Sequence, residues 1–275
     1  MHFRRRSMIQ NGSRVVLGLE YDGQGFNGWQ VQPDKYSIQS EFEEALTKVA
    51  GNKKISIVCA GRTDAGVHAT GQVVHFDPVV KREPSNWVNG CNAFLTGKMA
   101  VNWARVVGKK FHARYSARSR TYAYFILNRQ QPPGLLKGKV GWCDEKLSLL
   151  AIKEGCRHLL GGHDFSAFRA AGCQAANANR EIFSINVTQH YNLIKIEITA
   201  NAFLQHMVRN IVGSLVQVGT RKKPPIWIAE VRDSRDRSLA GPTFSSDGLF
   251  LTKVSYDESW AFPSNCNSDG LYEYK

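Results

Sequence analysis

Two apolar runs, Ile55 to Ala60 and Gln72 to Phe76, flank the segment Gly61-Arg62-Thr63-Asp64-Ala65-Gly66-Val67-His68-Ala69. Apolar runs of this length bounded by glycine read as short strands, so the chain folds back on itself here and leaves a glycine-bounded turn between them. The turn carries one carboxylate, Asp64, two residues from a cation, Arg62. Glycines let a backbone or ligand come close, and loops held on a rigid scaffold often carry function. The residues alone leave two readings: Asp64 does chemistry, or it closes an Asx-type turn while Arg62 is a solvated charge.

The neighbouring segments extend this strand-turn-strand unit into a mixed α+β lobe. Val15 to Tyr21 reads as a buried strand ending at Asp22-Gly23-Gln24-Gly25. Ser37 is a candidate N-cap, and Ile38, Phe42, Leu46 and Val49 share one helical stripe before Gly51. A short helix near Trp87 to Leu95 and a strand over Met99 to Val107 complete this lobe. The expected organisation is a basic leader over 1–13, an N-terminal α+β lobe over 14–108, a second α+β lobe over 109–257 and a polar tail over 258–275. With 275 residues, 43% of them hydrophobic, the chain can support two such lobes, and the expected site is a cleft between them.

Charge narrows the class of partner. Thirty-six Lys and Arg against 23 Asp and Glu give a formal charge of +13, recurring at Arg4-Arg5-Arg6, Lys109-Lys110, Arg114 to Arg120 and Arg221-Lys222-Lys223. Such a distribution attracts a polyanion. Nucleic acid suits it better than an anionic membrane, because no helix-length basic amphipathic segment accompanies these runs. The six cysteines form no CxxC pair and no His/Cys cluster at zinc spacing, so neither a metal site nor a disulfide framework is expected. Without an apolar leader core or a run long enough for a membrane span, the expectation is a cytoplasmic protein.

In the second half, Phe111 to Leu127 interleaves arginines, hydroxyls and aromatics. Arginines can hold phosphates while an aromatic face stacks on a base, although the same tyrosines can simply pack in a core. Lys146 to Leu160 reads as a helix, His163-Asp164-Phe165 as a helix-entry turn around a buried Phe, Ala170 to Asn179 as a mobile loop, and Leu193 to Thr199 as a half-buried strand. Phe203 to Leu215 reads as a helix with Phe203, Met207, Ile211 and Leu215 on its core stripe and His206, Arg209, Asn210 and Gly213 opposite. Arg209 is there either a solvated charge or a partner for a carboxylate, and Gly213 offers room for a neighbouring backbone. A glycine- and proline-broken loop from Leu239 then feeds a strand over Leu249 to Val254.

The Gly61–Ala69 segment, the Phe111 to Tyr124 stretch, Gly162-His163-Asp164-Phe165-Ser166 with Cys173-Gln174, Ala202 to Asn210, and Asp247-Gly248-Leu249 occur in the order found in the TruA family of tRNA pseudouridine synthases. The chain resembles that family from about Val15 to Tyr256. The resemblance implies the pseudouridine synthase fold and an isomerase that detaches uracil from its ribose, turns it and rejoins it through carbon 5. It implies Asp64 as the catalytic residue, by covalent attack or by deprotonating the sugar, with Arg209 as its cationic partner. It further implies Tyr122 against the target uracil, Leu249 in the wall of the base pocket, and Arg62 filling the gap left by the extruded base. The implied substrate is the tRNA anticodon stem-loop, positions 38 to 40, handled by a homodimer with no metal or organic cofactor. These roles are chemically coherent: a nearby cation favours the charged carboxylate, and a base in a stem must leave the stack before it can be handled.

One departure from the family pattern is Phe244-Ser245-Ser246 where an Ala-Pro type loop is common, which bears on the pocket rim. Two other classes compete with the isomerase. A tRNA-binding module without catalysis would explain charge and aromatics, but it does not require Asp64, Tyr122 and Arg209 together. An aspartic protease would need Asp-Thr/Ser-Gly, whereas the order here is Thr63-Asp64-Ala65-Gly66, present once.

Overall fold

The computed structural model describes residues 13–263, which fall into two compact units. The first takes in the described residues up to Arg118 and again from Lys253; the second is Ser119–Thr252. Each contains its own strands and helices, which makes the chain α+β as expected. The Arg4-Arg5-Arg6 leader and tail residues 264–275 lie outside the described residues.

In the first unit, β1 (Ser13–Tyr21) lies between β3 (His68–Phe76) and β4 (Met99–Gly108), antiparallel to both. As a central strand covered on both faces it buries Val15, Val16, Leu17 and Leu19, which is why it reads as a continuous apolar run rather than an alternation. Helix α1 (Ile38–Val49) starts where Ser37 predicts, with a reciprocal capping box between Ser37 and Ser40, and it buries Ile38, Phe42, Leu46 and Val49. Helix α2 spans Pro84–Phe94, with Trp87 edge-on to Phe76 at 5.0 Å.

The strand expected over Ile55 to Ala60 shortens to β2 (Val58–Cys59). Helix side chains take the earlier amides instead: Glu43 Oε1 accepts from Ile57 N–H and Thr47 Oγ1 from Ile55 N–H, while the side chains of Ile55 and Ile57 stay buried. The unit also holds residues 109–118 and 258–263, because Phe111 is fully buried against Tyr256, Trp260 and Phe262 at 5.1 Å each. The segment that reads from sequence as the start of a polar tail thus supplies two half-buried rings that cover Phe111.

In the second unit, β5 (Ser119–Asn128) pairs antiparallel with β9 (Leu193–Ala200), followed by β8 (Asn179–His190) and β7 (Gly161–Asp164). Strand β6 (Gly141–Cys143) pairs parallel to β5, and β10 (Leu249–Ser255), whose last residues return to the first unit, lies beside β5. Helices α3 (Leu149–Arg157) and α5 (Trp227–Ser234) accompany α4 (Met207–Gly219). The segment His163-Asp164-Phe165 ends a strand and enters a single 3₁₀ turn over Ser166–Phe168, with Phe165 fully buried.

Helix α4 begins four residues later than the apolar pattern predicts. His206 takes a left-handed conformation at the N-cap, φ 61°, so Phe203 to His206 stand outside the helix. The arc opposite the core stripe is also covered: Asn210 and Gly213 are buried, and Asn210 Nδ2 donates to Phe168 O at 2.8 Å. The room foreseen at Gly213 is used, since a Cβ there would stand 1.8 Å from the carbonyl oxygen of Pro242.

Candidate active site

The Asp64 loop leaves β2 and enters β3 already at His68. Its tip is a β-turn in which Val67 N–H donates to Asp64 O at 3.1 Å. Gly66 has φ 78°, the value a type II turn needs at its third residue and one that side chains resist. Asp64 is half-buried and Arg62 exposed, while Thr63 between them is buried. The inward Thr63 therefore aims its two charged neighbours away from the core.

The segment following β1 braces this loop from behind. A Cβ on Gly23 would lie 2.0 Å from Val67 O, and one on Gly28, itself at φ 84°, would lie 2.8 Å from Thr63 O. Trp29 N–H donates to that same Thr63 oxygen at 2.9 Å. His68 is buried, its Nδ1 3.1 Å from Gly23 N–H and 3.0 Å from Asp22 Oδ1, so its ring links the two loops. None of this could be read from sequence, because glycine spacing does not say which backbone each glycine admits. The one available signal was the density of glycines and aromatics from Tyr21 to Trp29.

Cys59 is the nucleophile candidate nearest in sequence. Burial pushes its thiol up to about 12, although Arg62 and Arg114 pull in the opposite direction. A thiol held protonated is a poor nucleophile, so Cys59 is a weaker candidate than the Asp64 carboxylate.

The other expected site residues belong to the second unit. Tyr122, 8% exposed, sits on β5 opposite Ile198 and meets the ring of Phe203 edge-on at 5.0 Å. Leu249, 4% exposed, opens β10 beside β5. Arg209, half-buried in the first turn of α4, donates from Nε to Phe244 O at 2.8 Å, and its own carbonyl accepts from Phe244 N–H at 3.2 Å. The Phe244-Ser245 rim is fixed further by Tyr124, whose hydroxyl donates to Ser245 O at 2.7 Å. Burial raises the Tyr124 hydroxyl well above its usual range, so it stays protonated. Arg209 is thus held by a backbone carbonyl, which the unusual side chains at 244–246 leave in place.

Arg62 and Asp64 therefore share one loop, while Tyr122 and Leu249 lie on neighbouring strands and Arg209 on a helix of the other unit. Among the described residues no group of three or more His, Cys, Asp or Glu is placed to hold a metal ion, and no helix is long and apolar enough to cross a membrane.

A braced loop carrying a carboxylate and an arginine, in one of two α+β units of a chain with a net charge of +13, suits an enzyme that works on a polyanion. The sequence model of the tRNA pseudouridine synthase family matches residues 19–116 and 156–257, and the chain belongs to that family, whose members are isomerases. It is 50% identical over 251 residues to tRNA pseudouridine synthase A of Nitrosomonas eutropha, covering 91% of this chain and 90% of the relative. It is 50% identical over 250 residues to the protein of the same name from Dechloromonas aromatica, covering 91% and 95%. The likeness to that of Janthinobacterium sp. (strain Marseille) is 48% over 262 residues, covering 93% and 96%. Among solved structures, a Cbf5-Nop10-Gar1 complex aligns with 86% of this chain and 57% of its own, at 12% identity and a TM-score of 0.33, too low for a detailed correspondence.

Proposed function

We propose that this chain converts uridine to pseudouridine in the anticodon stem-loop of tRNA, at positions 38 to 40, with Asp64 as the catalytic residue. In the reaction the bond from ribose C1′ to N1 of uracil breaks, the base turns, and a bond from C1′ to C5 forms. The C5 proton leaves to solvent and N1 takes one up, so the conversion is a balanced isomerisation. Asp64 acts either as a nucleophile on the base or sugar or as the base that deprotonates the sugar.

The observation that carries the reading is the family match, whose first segment, 19–116, contains Arg62 and Asp64 and whose second, 156–257, contains Arg209 and Leu249. Tyr122 falls between the two matched segments, and its role rests on its place in the Phe111 to Tyr124 stretch. Arg209 is the proposed counter-charge of Asp64, Tyr122 the ring against the extruded uracil, Leu249 an apolar wall, and Arg62 the filler of the vacated stack. The net charge of +13 favours the tRNA phosphates. The proposal includes a homodimer acting in the cytoplasm without metal or organic cofactor.

The position is tested by treating tRNA transcripts with the enzyme, then with a carbodiimide that marks pseudouridine, and reading reverse-transcription stops. Stops at one or more of positions 38, 39 and 40 are expected. Stops elsewhere with none at these positions would overturn the assignment.

A further inference from the structure

We infer that Gln72 and Tyr21 are positioning residues that set the geometry of the Asp64 loop for catalysis; this rests on the reading of Asp64 as the catalytic carboxylate. Gln72 lies in the middle of β3 and is wholly buried among apolar neighbours. A primary amide is costly to bury unless its groups are used, and here they are. Nε2 donates to Gly61 O at 2.7 Å and to Tyr21 Oη at 3.3 Å, while Oε1 accepts from Val73 N–H at 3.2 Å. The Gly61 carbonyl fixes the orientation of the amide, because a flipped Gln72 would set oxygen against oxygen.

From Gln72 the chain of hydrogen bonds continues through Tyr21 Oη to Thr63 Oγ1 at 2.8 Å, with Tyr21 5% and Thr63 6% exposed. Tyr21 is aimed at this spot by a register shift between Leu19 and Tyr21 in the pairing of β1 with β3, and such irregularities re-aim side chains. Gly61 and Thr63 are therefore tied to one buried amide on either side of Arg62, and the second tie ends one residue before Asp64. Trp29 N–H fixes the Thr63 carbonyl independently at 2.9 Å. A carboxylate that must reach one atom of the target nucleotide gains rate from a fixed position, and a displacement of about 1 Å can cost on the order of a hundredfold.

The test compares Thr63→Val, Tyr21→Phe and Gln72→Met with Thr63→Ser and Asp64→Ala, measuring kcat and KM for an unmodified tRNA transcript together with the melting temperature. Thr63→Val removes the hydroxyl at nearly constant shape, whereas Thr63→Ser keeps it. The expected result is a kcat lower by roughly 30- to 100-fold in the Val, Phe and Met variants, with KM for tRNA within about threefold of wild type and Thr63→Ser close to wild type. The double variant of Thr63→Val with Tyr21→Phe should be no slower than the slower single, because both break one chain.

Wild-type kcat in these variants, a loss confined to KM, or an equal loss in Thr63→Ser would overturn the inference while a dead Asp64→Ala leaves the catalytic reading standing. Normal turnover by Asp64→Ala would overturn both. Should Gln72→Met fail to fold, the Thr63 pair decides the matter.

Discussion

Replacing Gly213 with Ala tests how tightly the Arg209 helix is locked to the 241–245 loop. The added Cβ would stand 1.8 Å from the Pro242 carbonyl oxygen, where roughly 3.3 Å is the ordinary carbon–oxygen approach, so helix and loop must part by about 1.5 Å. That separation strains the bonds tying them: Gly241 N–H to Ser214 Oγ at 2.9 Å, Phe244 N–H to Arg209 O at 3.2 Å and Arg209 Nε to Phe244 O at 2.8 Å. Two to three hydrogen bonds at about 1 kcal/mol each are at stake, against a gain of about 1 kcal/mol from alanine's better helix propensity. The net cost is therefore about 1–2 kcal/mol, or a melting temperature lower by roughly 2–8 °C in calorimetry. Gly155→Ala is the control, since its Cβ would meet side chains and no backbone, Leu215 Cδ2 at 3.2 Å, Ile228 Cγ1 at 3.3 Å and Val218 Cγ1 at 3.7 Å, which need give by only a few tenths of an ångström. A Gly213→Ala protein that melts no lower than Gly155→Ala would refute the reasoning. Its kcat should also fall, because the displaced carbonyl of Phe244 no longer holds Arg209.

Three further outcomes are expected. His75 is 3% exposed, and burial, reinforced by Arg14, lowers its pKa from 6.5 to about 4. The fold thus favours the neutral ring, so this contribution to stability is full above pH 6.5 and is lost as pH falls through about 4. His75→Asn, which can still accept from Ala113 N–H, should remove up to about 3 kcal/mol of pH dependence over that window, read by denaturant titration at several pH values. Arg209→Ala should lower kcat by about a hundredfold or more at neutral pH, whereas Tyr122→Phe, which keeps the ring, should stay within about tenfold of wild type; steady-state turnover of a tRNA transcript checks both. KM for tRNA should rise by at least about tenfold between 50 and 200 mM salt, as phosphate contacts by a chain of this charge require.

The elements legible in the sequence are those whose signals are local. Ser37 with its apolar stripe marked α1, and the alternation over Leu193 to Thr199 marked β9, because cap chemistry and burial periodicity are properties of the segment itself. Strand β8 leaves no such signal: only Ile182 and Val187 of its twelve residues are buried, so there is no period for a pattern to follow. Helix α5, entered just after Pro224-Pro225, is equally silent, with no side-chain N-cap and only Ile228 and Val231 of its eight residues buried. Ile55 to Ala60 carried a strand pattern, yet side chains of α1 captured its amides, a competition that only tertiary contact decides.

The site divides in the same way. Arg62 and Asp64 stand out as candidates because they share a turn bounded by glycines, while their proposed roles rest on the family resemblance. Gln72 lay inside an apolar run as one more polar residue, and its link through Tyr21 to Thr63 spans 51 positions of sequence in its first step and 42 in its second.

The central claim is that Asp64 makes this chain a uridine isomerase, and release of tritium from carbon-5-labelled uridine in an unmodified tRNA transcript tests it most directly. Wild type should release label while Asp64→Ala, still folded and still binding the transcript, releases none. Release at the wild-type rate by Asp64→Ala, or none from wild type on transcripts with uridine at positions 38 to 40, would contradict it.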